Sequence, residues 1–556
     1  MNVDVDGGSQ RWAPTPATWQ FLALAGFLFV LLFISMAPGV GQYDEALILD
    51  GALRVLHGEL PYRDFYTLYG PGQFYVLAGL FRVFGIYAAL GRFLYLVTAL
   101  VSLLGISNLS SLLSGRRLFG LLAALTSLVW VSAAGMYLYP VDPAISFILV
   151  ATLCLVRRCQ LGTKRWIAIA GVLIGVTVLF RHDMGMYSAV AICAAECFYH
   201  LGASGRPIRI RCKELLWDVS LFAVCILIVA APAILLLLRH VPFADIRYDL
   251  FYYPSHLYPA MRRLPFFQFD ARKSLERNIR QAAAQSFVLV PILVPLAATA
   301  CLVQREWRAR QPHWQVSGYV LLLCLALVMP ISGIVRTELS HLVPALLIDS
   351  LLLMSLIAKW RLSNRFGQAM IVGSAICFLL SMPTQAWRAG RQAKGSVALV
   401  AHPGRPGSLI SLCHPPVGME RLTCMQIDPV EEAEAEYIQE HTKPGDEIYS
   451  GASRHDKLFL NDLLLYFLSK RDPATKWYDL NPGVQTTTAI QKQMIHDLDT
   501  HHVVYVIRNF TWDAVAEPND SRFSSGVTIL DQYIEANYRT EVSFPEVLIL
   551  RRTTPF

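Results

Sequence analysis

Charge is what this sequence is short of: Asp, Glu, Lys and Arg make up 16% of its 556 residues, whereas 54% are hydrophobic and the mean hydropathy is +0.42. A chain so poor in charge excludes an ordinary soluble enzyme. Metal-ligand spacing is missing as well. The 11 cysteines are scattered, most inside apolar runs where a thiol acts as a small hydrophobe, with no CxxC pair and no His/Cys pattern for structural zinc. No nucleic-acid motif accompanies the net charge of +7, whose basic residues fall in short clusters between apolar runs, as topology signals do. Residues 1–20 lack a basic n-region and a small-residue cleavage site, so the first apolar run reads as a retained anchor rather than a removed signal peptide.

What is present is a series of apolar segments. Thr18 to Ala37 is 20 residues without a charge, enough at about 1.5 Å per residue to cross a hydrocarbon core of about 30 Å. With that segment as 18–38, further spans are expected at 93–113, 118–136, 142–156, 166–180, 184–199, 215–238, 282–303, 316–335, 342–358 and 367–383, eleven in all. Gln73 to Phe84, at 12 residues, is too short to cross and reads as interfacial or re-entrant.

With a cytoplasmic N-terminus, the inside loops then contain Arg116 and Arg117; Arg157, Arg158, Lys164 and Arg165; Arg206, Arg209, Arg211 and Lys213; Arg305, Arg308 and Arg310; and Lys359, Arg361 and Arg365. Every one is basic, as the positive-inside rule requires, and a twelfth span would put the same clusters outside. A bacterial inner (plasma) membrane is the expected setting. The fold class is a polytopic α-helical membrane protein of about eleven transmembrane helices, residues 1–383, with a C-terminal extracytoplasmic α/β domain at 384–556. In that domain Pro429 to His441 and Thr486 to Leu498 read as helices, and Asp446 to Ser450, Val503 to Ile507 and Glu546 to Leu550 as strands. Cys413 and Cys424 fall in this exported part, and the sequence leaves open whether they are bonded.

Polar clusters mark the outer loops. Gly41-Gln-Tyr-Asp44-Glu45 follows the first span, then an amphipathic segment Glu45 to His57 expected to lie on the membrane surface, then a Tyr-, Pro- and Gly-rich loop to Gly72, so that interfacial helices occupy about 45–85. Asp142 lies in the second outer loop, Arg181-His182-Asp183 in the third, and Arg336-Thr-Glu338-Leu-Ser-His341 in the fifth. Each has a plain alternative: Asp142 before Pro143 can cap a helix, the Arg181 group can be helix-end charges reaching for water, and Glu338 with His341 can be a local ion pair. Their convergence on one side is the informative point. Displacing a sugar from a lipid-linked phosphate needs a carboxylate to take the proton of an acceptor hydroxyl and cations to stabilise the departing phosphate. A phosphate leaves without a general acid, so one essential carboxylate suffices, unlike the glycosidase pair.

The stretch Tyr43-Asp44-Glu45, the following Gly51-Ala-Leu-Arg-Val-Leu-His-Gly-Glu-Leu-Pro-Tyr-Arg-Asp-Phe, and Tyr-Gly-Pro-Gly-Gln-Phe-Tyr-Val-Leu-Ala resemble integral-membrane glycosyltransferases of the GT-C superfamily, in particular the protein O-mannosyltransferase and lipid A aminoarabinose transferase group. The resemblance implies an inverting transfer of a sugar from a polyprenyl-phosphate donor to a glycan, lipid or protein acceptor at the outer face. It implies Asp44 as the catalytic residue with Glu45 beside it, and Asp142 as a supporting acid. Some members of the group bind a divalent cation between these acidic loops, which here would mean Asp44 and Asp142, and others do not; this sequence has no compact DxD motif. Topology and charge, rather than motif, assign Arg181, Arg336 and His341 to the donor phosphate and Asp183 and Glu338 to supporting roles. The competing function is a transporter or flippase of lipid-linked saccharides, which would line its path with ionisable groups; those inside spans are few, Glu196, Asp218 and Asp349.

Overall fold

The computed structural model describes residues 16–135, 137–202, 207–270, 272–359, 365–401 and 408–555. Arg206 and Arg361 of the basic clusters, and most of the segment before the first span, lie outside the described residues. The membrane part begins with α1 (Pro16–Ser35), followed by α2 (Asp44–Leu56) and α3 (Gly72–Phe84), and then α4 (Ala88–Ser114), α5 (Arg117–Ala134), α6 (Val141–Leu161), α7 (Arg165–Phe180), α8 (His182–Gly202) and α9 (Ile208–His240). Helices Val290–Val303, His313–Val328, Leu339–Ala358 and Arg365–Ala401 complete it.

Among the described residues nine helices are long and apolar enough to cross a membrane, which makes this an integral membrane protein. The other two expected spans are also helices, but α7 is only 16 residues long and α8 carries Asp183, Glu196 and His200, so neither joins the nine. α3 is an apolar helix of 13 residues, as short as its sequence implied. The last helix does not stop near Pro383. It runs on to Ala401, where Ser396 donates to the carbonyl of Met36 at the end of α1.

One expectation is corrected. The segment after Asp44 is a helix, but it does not lie on a surface with its polar face in water: Glu45 to Arg54 are buried without interruption, including Asp50 at 2% and Arg54 at 4% exposure. Its apolar side packs on α3, where Gly51 leaves room for the ring of Phe74. Its polar side is capped by the C-terminal domain. Arg54 bonds Glu59, the carbonyl of Asp64 and the carbonyl of Thr475, and stacks 4.9 Å from the ring of Tyr478. An amphipathic pattern reports that two faces differ, and here the second solvent is protein.

The C-terminal domain is built on a five-stranded sheet in the order β2-β1-β3-β5-β4. β1 (Glu447–Ala452) pairs in parallel with β2 (Asp472–Pro473) and β3 (Tyr505–Asn509); β5 (Val547–Arg552) runs antiparallel to β3 and to β4 (Tyr538–Phe544). Helices Pro429–His441, Thr488–Thr500 and Ile529–Asn537 cover it. β2, β4 and the last helix escape the sequence reading because they are short or mostly solvent-facing. Cys413 and Cys424 are bonded in a disulfide.

The loop between α2 and α3 is fixed by close backbone approach. A Cβ on Gly70 would stand 2.4 Å from the carbonyl oxygen of Leu179 and 2.8 Å from that of Phe180, at the end of α7. Gly70→Ala must push this turn off α7; a loss of about 1–3 kcal/mol and a lower detergent Tm are expected in thermal unfolding, and an unchanged Tm would contradict the contact.

Candidate functional site

The loops at this end of the bundle converge where α2 begins. Asp44 is its first residue, so its carboxylate sits at the positive end of the helix dipole. Tyr137 donates to Asp44 Oδ2 at 3.0 Å. Burial holds the Asp44 carboxyl above the usual range, opposed by the positive charge of His341, the Tyr137 hydrogen bond and Arg262. The hydroxyls of Tyr69 and Tyr139 meet at 2.8 Å, and both rings feel the charge of Asp44.

A cavity of about 320 Å³ opens beside these tyrosines; Tyr69, Tyr139, Arg181, Asp183, Tyr258 and His341 line it together with apolar side chains, and Asp44 and Arg262 stand behind its wall rather than in it. Arg181 is the residue after α7 and makes a two-pronged contact with Asp183, at 2.9 and 2.7 Å. His341 Nδ1 lies 3.2 Å from Glu338 Oε1. Burial works to raise the Glu338 carboxyl, but the His341 hydrogen bond and charge and the Arg336 guanidinium bring it down to about 2. Immediately before Arg181, on the other side of Phe180, lies an apolar groove of about 630 Å³ between α3, α7 and α9, with Leu60, Tyr75, Val76, Val176, Leu179 and Leu236 in its walls. Phe180 borders the groove and Arg181 the cavity, so the two are adjacent along one turn of chain.

Not all of the expected site residues face this space. Both carboxylate oxygens of Glu45 are taken by Arg92 of α4, and Gly41 N–H adds a bond of 2.9 Å to Oε2. Arg92 also donates to the carbonyls of Ala37 (2.9 Å) and Gly39 (2.7 Å), so the pair ties the whole loop from α1 to α2 down onto α4. Asp142, in the first turn of α6, borders a separate cavity of about 20 Å³, room for water, with Tyr95, Tyr137, Tyr139 and Ser340. Arg336 turns to the C-terminal domain, gripping Glu517 at 2.8 and 2.7 Å and Glu338 at 2.5 Å.

Two contributors, Asp479 and Arg262, carried no signal in the sequence. Tyr43 donates to Asp479 of the C-terminal domain at 2.6 Å, and burial lifts the Asp479 carboxyl to about 6, tempered by that bond and by Arg262. Arg262, one turn beyond Tyr258, is 5% exposed and donates to the carbonyl of Phe459 at 2.7 Å; no carboxylate among the described residues pairs with it. It was one arginine among several in the long loop after α9, with no local pattern to single it out.

Among the described residues, the one cluster with metal-ligand spacing is Glu196, His200 and Asp218, at the far end of α8 from Asp183. The guanidinium of Arg158 already lies among them, bonded to Glu196 at 3.1 Å, to His200 at 2.9 Å and to Asp218. Asp44 and Asp142 belong to no such cluster.

A bundle of apolar helices with an acidic helix start lying under a C-terminal α/β domain is the fold shared with solved GT-C structures. Compared with solved structures, the chain is similar to ArnT from Cupriavidus metallidurans bound to undecaprenyl phosphate, with TM-score 0.52 and 14% identity, covering 97% of this chain and 98% of that one. It is similar also to the Archaeoglobus fulgidus oligosaccharyltransferase tethered with an acceptor peptide, with TM-score 0.51 and 12% identity over 88% of this chain and 69% of that one. No protein-family model matches the sequence, and no curated protein matches it.

The Arg92–Glu45 pair is buried, so removing one partner strands a charge. Arg92→Ala should cost about 3–5 kcal/mol, seen as early thermal unfolding; a variant as stable as the parent would show that the loop holds without the clamp.

Proposed function

We propose that this chain is an inverting glycosyltransferase that moves a sugar from a polyprenyl-phosphate donor to a glycan, lipid or protein acceptor at the outer face of the membrane, with its N-terminus cytoplasmic and the disulfide-bonded domain outside. The observation that carries the reading is the junction at Phe180–Arg181: a groove fit for a hydrocarbon chain ends beside a cavity walled by Arg181, Tyr139 and His341, and His341 acts electrostatically on the Asp44 carboxylate behind that wall. The fold it shares with ArnT bound to undecaprenyl phosphate and with an oligosaccharyltransferase holding an acceptor peptide supports transfer over transport. The alternation of helices supports the orientation. α4 leaves the Glu45 contact and α6 leaves Asp142, so Arg116, Arg157 and Arg158 fall at the opposite end of the bundle. α7 and α8 then cross as well, packed on α6 and α9, their deficits in length and apolarity covered by neighbours.

In this reading the donor tail lies against Tyr75, Val176 and Leu236, and its phosphate reaches the cavity. An acceptor hydroxyl attacks the anomeric carbon from the face opposite the phosphate; the new carbon–oxygen bond forms as the carbon–phosphate-oxygen bond breaks, and the hydroxyl proton passes to Asp44. The phosphate leaves as an anion and needs cations rather than a proton. Arg262 and His341 supply them: Arg262 is buried without an acidic partner, an arrangement that favours an incoming anion. Arg181 contributes with its plane fixed by Asp183. Arg336 is a domain link, and Glu45 holds the loop. Asp142 orders Tyr137 and Tyr139 through the small cavity behind them. No set of three metal ligands converges here among the described residues, and the mechanism routes no step through a cation.

Asp44→Asn should insert, fold and bind donor normally yet lose transfer of a polyprenyl-phosphate sugar in detergent; retained turnover would overturn the assignment, and transfer by the parent protein without a sealed bilayer excludes pure transport. Because burial raises the Asp44 carboxyl, its protonated form persists to higher pH than in a free aspartate of pKa about 3.9. The acid limb of kcat/KM must therefore lie above that value; a limb at or below it contradicts Asp44 as the base.

A further inference from the structure

The segment between Arg262 and the helix Val290–Val303 is built inside out for a protein surface in water. Its helix Leu275–Ala284 places Leu275, Ile279 and Ala282 at spacings of four and three, on one face, and that face points away from the protein: Leu275 is 71% exposed and Ile279 59%. The face turned inward is polar. Asn278, 5% exposed, donates to the carbonyls of Asp270 (3.0 Å) and Lys273 (3.3 Å) and accepts from the Asp270 N–H at 3.2 Å. Just before it, Phe266, Phe267 and Phe269 are 42, 39 and 73% exposed. A helix that hides its asparagine and displays its leucine and isoleucine beside the equally exposed Glu276 and Arg280 suits the boundary between an apolar medium and water.

Two further observations say what those surroundings are. The helix hands over at once, through Gln285, to the candidate span Ser286–Val303, and Ser286 bonds the carbonyl of Cys377 in the neighbouring membrane helix, so the segment lies at the membrane boundary. Its charge is one-sided. Arg263, Arg272, Lys273, Arg277 and Arg280 stand against Asp270 and Glu276 only; Lys273 pairs with Asp270 and Arg280 with Glu276, leaving Arg263, Arg272 and Arg277 without an acidic partner among the described residues. Apolar side chains beside unpaired arginines match the boundary between acyl chains and negatively charged headgroups.

We propose that residues 263–284 form a strap lying in the outer leaflet, with Phe269, Leu275 and Ile279 among the acyl chains and Arg272, Lys273 and Arg277 binding anionic phospholipid headgroups. The strap is tied to the rim of the candidate site: Leu264 N–H donates to the Val335 carbonyl at 3.0 Å, Thr337 donates to the Pro265 carbonyl at 2.8 Å, and Arg262 precedes it directly. Lipid charge thereby acts on the backbone that bears Arg262 and Arg336. The inference rests on the membrane embedding of the chain and not on the transfer reaction.

The test places the photoreactive p-benzoylphenylalanine at Phe269 and, in a second variant, at Ile279, in the full-length protein in nanodiscs of mixed phosphatidylcholine and phosphatidylglycerol. Irradiation should give a mass adduct of one phospholipid, with phosphatidylglycerol captured in excess over its share of the bilayer. Adding Arg272→Gln, Lys273→Gln and Arg277→Gln should abolish that preference while lipid capture continues. Capture of a second copy of the chain, or no lipid adduct at either position, overturns the proposal. Capture of the two lipids in proportion to their abundance overturns the anionic recognition.

Discussion

The buried pair of Arg92 and Glu45 is the constraint on which the Asp44 end of the bundle depends. It holds the chain from Ala37 to Glu45 against α4, and the C-terminal domain then binds that stretch at three residues: Pro38 accepts from Gln426, Gln42 from Leu463 and Leu464, and Tyr43 donates to Asp479. A buried ion pair is poor at adding stability relative to apolar packing, but it specifies one arrangement, because any other leaves a charge stranded. What it specifies here is the start of α2, and with it the direction of the Asp44 carboxylate.

The arginines at this end of the bundle differ in their partners. Arg92, Arg181 and Arg336 each face a carboxylate in close contact, whereas Arg262 is buried against the carbonyl and ring of Phe459. A guanidinium in that state favours any anion delivered beside it. The apolar groove and the cavity meet at the residue pair Phe180–Arg181, and Gly70 is what lets the loop after α2 press against that end of α7. The soluble domain is part of this geometry rather than an appendage. Asp479, Glu517 and Phe459 reach Tyr43, Arg336 and Arg262 respectively.

Much of the architecture was legible in the sequence because membrane spans announce themselves by length and absence of charge. A helix is found at each expected span, and the helix at Pro429 to His441 has the expected bounds. Asp44, Arg181, Asp183 and His341 could be gathered on one side from topology alone. What escaped was contact information. The pattern of α2 shows one polar face but not that the C-terminal domain covers it; Glu45 beside Asp44 looks like a second reactive acid until Arg92, 47 residues on, takes both oxygens. Arg262 and Asp479 are ordinary residues in sequence and matter only through distant partners. The helix beyond Pro383 continued because proline within an apolar span is tolerated where neighbouring helices support it.

The most direct test of the account is a structure of the protein with a bound polyprenyl-phosphate analogue. The account predicts the tail in the groove between α3, α7 and α9, and the phosphate in the cavity beside Arg181, within hydrogen-bonding reach of Arg262 or His341 and on the side of Asp44. A phosphate bound elsewhere, such as at the Arg158 end of the bundle, would contradict it.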